Sequence, residues 1–133
     1  MKSNIEILLF EIHQNIEDYA NFAAKKIIEE KDFEFLIYPP NGELTELEKQ
    51  ELLKLSNNEH LKNALKKVIA DNSAAIFFDV FNLFDGTADP KNNSNNWTGL
   101  KIVNEESCEN TELADDFLHD VFFESYWDWK ALQ

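Results

Sequence analysis

Arginine is missing from this chain: all twelve basic residues are lysine. Its planar fork is the usual means of gripping a carboxylate or phosphate at two points, so its absence argues against an enzyme for anionic substrates. A composition rich in Lys, Asn, Ile and Phe is also what AT-rich codons produce, and codon bias accounts for the missing arginine equally well. Cysteine is almost as scarce. Cys108 is alone, which excludes an internal disulfide, and it lies among Glu105, Glu106, Glu109 and Glu112. Those carboxylates disfavour a thiolate and make a reactive nucleophile improbable. With three glycines and one cysteine in all, glycine-rich phosphate loops and zinc-ligand spacings have nothing to stand on. Long apolar runs are lacking at the start too, where a single lysine is followed by Glu6 and Glu11 among the apolar residues. Neither a signal peptide nor a membrane span is expected there, and a reduced cytoplasm is the expected location.

Positive charge is in short supply. Against 26 acidic residues the twelve lysines leave a net charge of −14 and a pI near 4.4. Such a field repels nucleic-acid backbones and anionic membranes and steers a basic protein inward. The plainer alternative is that the acidity only keeps a small protein in solution.

What remains is ordinary for a folded chain. Its 133 residues are the size of one domain, and apolar residues make up 44% of it, with eleven phenylalanines that argue against disorder. A single domain over 1–133 is expected, without internal repeats. From Ser3 to about Glu30, Ile5, Leu8, Leu9, Ile12, Ile16, Tyr19, Phe22, Ala23 and Ile27 recur at helical spacing. Glu6, Glu17, Asp18 and Lys25 fall opposite, and His13 is expected beside them in solvent. Phe33 to Tyr38 is rich in β-formers and stops at Pro39-Pro40, which predicts a short strand. Asn41-Gly42 makes a turn. Thr45-Glu46-Leu47-Glu48 has the form of a capping box and predicts a helix from Thr45 to about Leu55.

Asn58 can cap the next helix, carried by Leu61, Ala64, Leu65, Val68 and Ile69. Asp71-Asn72-Ser73 is a point of interruption. From Ala74 to Phe84 apolar residues go all the way round, the pattern of a buried helix or of a buried strand. Asp85-Gly86 ends it, and Asp85 to Asn96 reads as a polar loop. Trp97 to Val103 alternates imperfectly and predicts a second strand able to pair with the first. Asn104 to Asn110 is an acidic linker, and Thr111 caps a last helix running to Leu132. The expected fold is therefore α+β, mostly helical, with about five helices and a small two-stranded sheet.

Three constellations bear on function. Asp85 and Asp89 flank a glycine turn and offer oxygen ligands to a hard cation, yet the calcium-hand positions hold Thr87, Pro90 and Asn96, so no metal or other cofactor is expected. His119 lies among Asp115, Asp116 and Asp120 without the second histidine that a helical zinc motif requires. Together with Asp85 and Asp89 it defines the alternative reading, a metal-dependent enzyme; an apolar-ligand carrier lined by phenylalanines is a further one. The leading constellation is the last helix. Asp116, Asp120, Glu124 and Asp128 follow at four-residue steps, with Phe117, Phe123 and Trp127 alongside. Ala114, Leu118, Val121, Phe122, Tyr126, Trp129 and Leu132 form its core face. Like charges at this spacing oppose one another by about 0.2–0.5 kcal/mol per pair. The stripe is either neutralised by this chain's own Lys25, Lys26, Lys66 or Lys67, or offered to a partner. Aromatics rimmed by charge are typical of interface centres, so the expected function is an acidic protein-binding module in which these seven residues, with Asp85 and Asp89, hold a basic partner.

The tail Leu118 to Asp128, following a Trp-x-Gly-Leu stretch at Trp97 to Leu100, in a chain of this size and acidity, resembles the small acidic immunity proteins of bacterial polymorphic-toxin systems. The resemblance implies inhibition of a toxin-like protein by binding, and transfers no residue roles.

Overall fold

Ile5, Leu9, Ile12 and Ile16 recur at three- and four-residue steps, and Ala20, Ala24 and Ile28 continue the row by fours; all seven are buried. A row of this kind is one side of a helix. In the computed structural model, which describes residues 3–92, 94–103, 105 and 117–133, it forms α1, Asn4–Lys25, prolonged by a π-helical turn at Lys26–Glu30. The elements that follow are α2, Glu46–Leu53, α3, Glu59–Asp85, a 3₁₀ turn at Ser94–Asn96, and α4, Leu118–Lys130. The chain divides into two compact units, Ile16–Asn72 in one and Met1–Asn15 with Ser73–Gln133 in the other, so α1 and α3 each contribute to both.

In the unit Ile16–Asn72, the π turn ends at Lys31, whose backbone is left-handed (φ 53°) and whose N–H, like that of Asp32, donates to the Lys26 carbonyl. Ion pairs brace this end. The Lys26 ammonium lies 2.6 Å from Glu30 and 2.9 Å from Asp32, Lys62 pairs with Glu29 and Glu59, and Lys66 pairs with Glu17 at 2.9 Å. α2 begins with the capping box its sequence spells: Thr45 accepts from the Glu48 N–H at 3.2 Å, and Glu48 accepts from the Thr45 N–H at 2.7 Å. Asn58 caps α3 through the Leu61 N–H at 3.0 Å.

The other unit is built on aromatic rings. Phe81, Phe122, Leu118 and Trp129 are buried. Phe122 is fully enclosed between His13, stacked at 4.9 Å, and Phe81, edge-on at 5.3 Å. Gly86 takes a left-handed φ of 71°, open to a residue without a β-carbon, and lets the Thr87 and Ala88 N–H groups close α3 on the Asn82 carbonyl.

The α+β expectation does not hold. The structure is mostly helical, 66% of the described residues, with four α-helices rather than five and no strand among the described residues. The helix count falls because α3 runs through Asp71-Asn72-Ser73 without a break. Each of these residues costs only a fraction of a kcal/mol inside a helix, too little to stop one anchored at both ends. The first expected strand is a turn and irregular chain: the Leu36 N–H donates to the Phe33 carbonyl and the Glu34 N–H to the Asp32 carboxylate. Its rings pack instead of pairing, with Phe33 buried and Phe35 edge-on to Phe22 at 5.5 Å. The second, Trp97 to Val103, is irregular apart from an isolated bridge at Val103. Nor is Ala74 to Phe84 buried all round, since Ile76 is 58% exposed and Phe81 is its one buried residue. Thr111 as a helix cap lies outside the described residues. Among those described, no helix is long and apolar enough to cross a membrane.

Candidate functional site

α4 starts without a side-chain cap of its own, because the residue before it is Phe117. The acceptor comes from the far end of α3. Asp85 accepts from the Leu118 N–H at 3.0 Å through one oxygen and from the His119 N–H at 2.9 Å through the other. The second oxygen also lies 2.6 Å from His119 Nδ1, which sets the proton on that nitrogen. A carboxylate placed on free N–H groups at a helix start is stabilised by them and by the helix dipole.

One and two turns on, His13 of α1 fixes the inner side of α4. Its Nε2 lies 2.9 Å from Ser125 Oγ and 3.0 Å from the Phe122 carbonyl, and the Ser125 hydroxyl donates to that same carbonyl at 2.8 Å. A carbonyl only accepts, so the contact places a proton on Nε2. The ring is wrapped by Phe122, Tyr126 and Trp129, at 4.9, 5.4 and 5.9 Å. His13 is thus a buried core residue, 4% exposed, rather than the solvated one expected. Its spacing carried the signal, four residues after Leu9 and three before Ile16.

With Leu118, Phe122, Ser125 and Trp129 turned inward, the opposite stripe of α4 is left outward. It reads Asp120, Phe123, Glu124, Trp127 and Asp128, all exposed. Phe123 is 52% exposed and Trp127 72%. Phe123 lies tilted on Phe78 at 5.6 Å and Phe122 at 5.1 Å, and Trp127 meets Tyr126 edge-on at 5.1 Å. Asp120 is within 3.3 Å of His119 Nε2. Among the described residues no lysine pairs with Glu124 or Asp128. Of the lysines able to neutralise the stripe, Lys25 and Lys26 are paired with Glu30, and Lys66 with Glu17.

The nine residues expected to bind a partner therefore separate. Asp120, Phe123, Glu124, Trp127 and Asp128 share one face, and Phe117 is half-exposed at its start, stacked on His119 at 5.6 Å. Asp85 is only 7% exposed at its side chain and is spent on α4. Asp89 is exposed in the loop after α3, and Asp116 lies outside the described residues. Asp85 and His119 do meet, but the Asp85 oxygens already receive two backbone N–H groups and the ring. Among the described residues, no three His, Cys, Asp or Glu side chains are grouped to hold a metal ion. A cleft of about 280 Å³ opens in the unit Ile16–Asn72, lined by Phe33, Leu36, Ile37, Pro39 and Leu44 but also by Glu34, Glu43 and Lys49. It offers one phenylalanine to a ligand. Comparison with protein-family models, curated proteins and solved structures finds no match for this chain.

Proposed function

We propose that this protein is an acidic binding module that holds a basic protein on the outer face of α4, acting in the cytoplasm as an inhibitor of the immunity type. The supporting observation is that Glu124 and Asp128 stand exposed beside Phe123 and Trp127 with no lysine partner among the described residues. Unpaired carboxylates around partly exposed rings give an encounter surface for cations and an apolar centre that excludes water once covered. The net charge of −14 speeds the approach of a basic partner over longer range.

The test is capture from the native host at low salt, with wild type beside a variant carrying Asp120→Asn, Glu124→Gln and Asp128→Asn. A basic protein retained by wild type alone, released as salt rises and toxic on expression without this chain, supports the reading. Equal retention by both proteins, or no retention by either, removes it.

A further inference from the structure

The same chain already shows what an aromatic ring beside two carboxylates takes up. In the unit Ile16–Asn72 the Lys26 ammonium sits 5.7 Å from the centre of the Phe22 ring while pairing with Glu30 at 2.6 Å and Asp32 at 2.9 Å. Phe22, Lys26 and Glu30 follow at four-residue steps, so ring, cation and acid share one side of the helix. A second ammonium, that of Lys130, lies 5.4 Å from the Trp129 ring. On the outer face of α4, Phe123 and Trp127 supply rings at the same step and Glu124 and Asp128 supply two acids. The cation is the part that the described residues do not provide.

We infer, resting on the binding module proposed above, that the partner fills this place with arginine: a guanidinium stacked on the Trp127 indole and hydrogen-bonded to Glu124 and Asp128. Charge complementarity selects a basic segment, and side-chain chemistry selects arginine within it. Trp127 and Asp128 follow Glu124 at the three- and four-residue steps that make neighbours on a helix surface. A guanidinium has five N–H donors in a plane, so it lies flat on an indole and still points donors outward to both acids. An ammonium is a more strongly hydrated point charge that gains less from the ring. Tryptophan is also the strongest of the aromatic side chains as a cation acceptor. Phe123, held by Phe78 and Phe122, offers a second ring one turn earlier, which suits a segment carrying more than one arginine.

The experiment uses the whole chain and two probes, an octa-arginine and an octa-lysine peptide, titrated at low salt by calorimetry. The indole N–H resonance of Trp127, assigned by its loss in Trp127→Leu, is followed in parallel. The expected result is tighter binding of the arginine peptide, about three- to fivefold, with a shift of the Trp127 resonance. In Trp127→Leu the preference disappears while the lysine peptide binds as before. Equal affinity for both peptides, unchanged in Trp127→Leu and with an unmoved indole, overturns the stacked arginine and leaves an acidic face acting by charge alone. Binding of both peptides undiminished in Glu124→Gln/Asp128→Asn overturns the α4 face itself. Because Trp127 is 72% exposed, its replacement leaves a folded protein in which these outcomes can be read.

Discussion

The Asp85 carboxylate at the end of α3 accepts the His119 backbone N–H at 2.9 Å and lies 2.6 Å from the same residue's Nδ1. One acid thus replaces the cap that Phe117 cannot provide and fixes the one histidine of α4. Removing it leaves the Leu118 and His119 N–H groups and a largely enclosed imidazole without their acceptor. Asp85→Ala is expected to cost about 2–4 kcal/mol, a cap together with charge-assisted hydrogen bonds. Asp85→Asn keeps one accepting oxygen and is expected to cost about half as much. Urea unfolding of the two variants checks the order. If Asp85→Ala is neutral, the contact does not hold α4.

Two of the contacts by which His13 joins α1 to α4 are its stacking on Phe122 and its Nε2 contact with Ser125. His13→Ala loses both and opens space among Phe122, Tyr126 and Trp129, for an expected cost of about 3 kcal/mol. His13→Phe keeps the stacked ring, and Ser125 retains its bond to the Phe122 carbonyl, so about 1 kcal/mol is expected. Denaturation midpoints of the pair separate packing from hydrogen bonding. Equal losses in both variants mean that the Nε2 contact is the larger part.

Much of this fold is legible where local chemistry alone decides. The capping box at Thr45 and Glu48, the Asn58 cap and the Gly86 stop each act within a few residues, and each is found as its residues spell it. Residues 33–38 fail for the opposite reason. A strand exists only with a partner, and β-formers such as Phe33 and Phe35 are equally useful as apolar anchors in irregular chain. The inner row of α1 is legible only in part: Ile5, Leu9, Ile12 and Ile16 are buried, but Leu8 is 36% exposed and His13 is buried, and beyond Ile16 the buried positions become Ala20 and Ala24, while the larger Tyr19 and Phe22 point outward at 71% and 46% exposure. Size misleads there, since small residues mark close approach. Asp85 reads in the sequence as a loop residue facing a partner, or a metal ion in the alternative. Its link to residue 119, 34 positions away, leaves no local trace.

Stability should respond to pH through the Lys26 cluster. The hydrogen bond from Lys26 lowers the Glu30 pKa below its ordinary 4.5. The same donor, then the Glu34 N–H, lowers that of Asp32 below 3.8. Both groups bind protons less readily when folded, so their contribution is complete above about pH 4.5 and is lost as pH falls through the lower folded values. Lys26 is raised above 10.5 by its hydrogen bonds to Glu30 and then Asp32. Its contribution is complete below that value and lost as pH rises through the higher folded one. Urea midpoints of wild type and Lys26→Met should run apart between the two limits and converge in acid and in strong base. A constant gap at every pH means that Lys26 acts by packing, not charge.

Trp127 and Trp129 stand two residues apart on one helix and should answer the same substitution in opposite ways. Trp129 is 4% exposed and packs against His13 and Tyr126, so Trp129→Ala is expected to cost about 3–5 kcal/mol. Trp127 is 72% exposed and leans on Tyr126 by one edge, so Trp127→Ala is expected to fall within about 0.5 kcal/mol of wild type. Thermal and urea unfolding of both variants measure the difference. A large exposed indole that adds little to stability is free for another role, and on α4 it stands one turn after Glu124, where a cation fits. If Trp127→Ala proves as costly as Trp129→Ala, the indole belongs to the core and the outer face of α4 loses its aromatic centre.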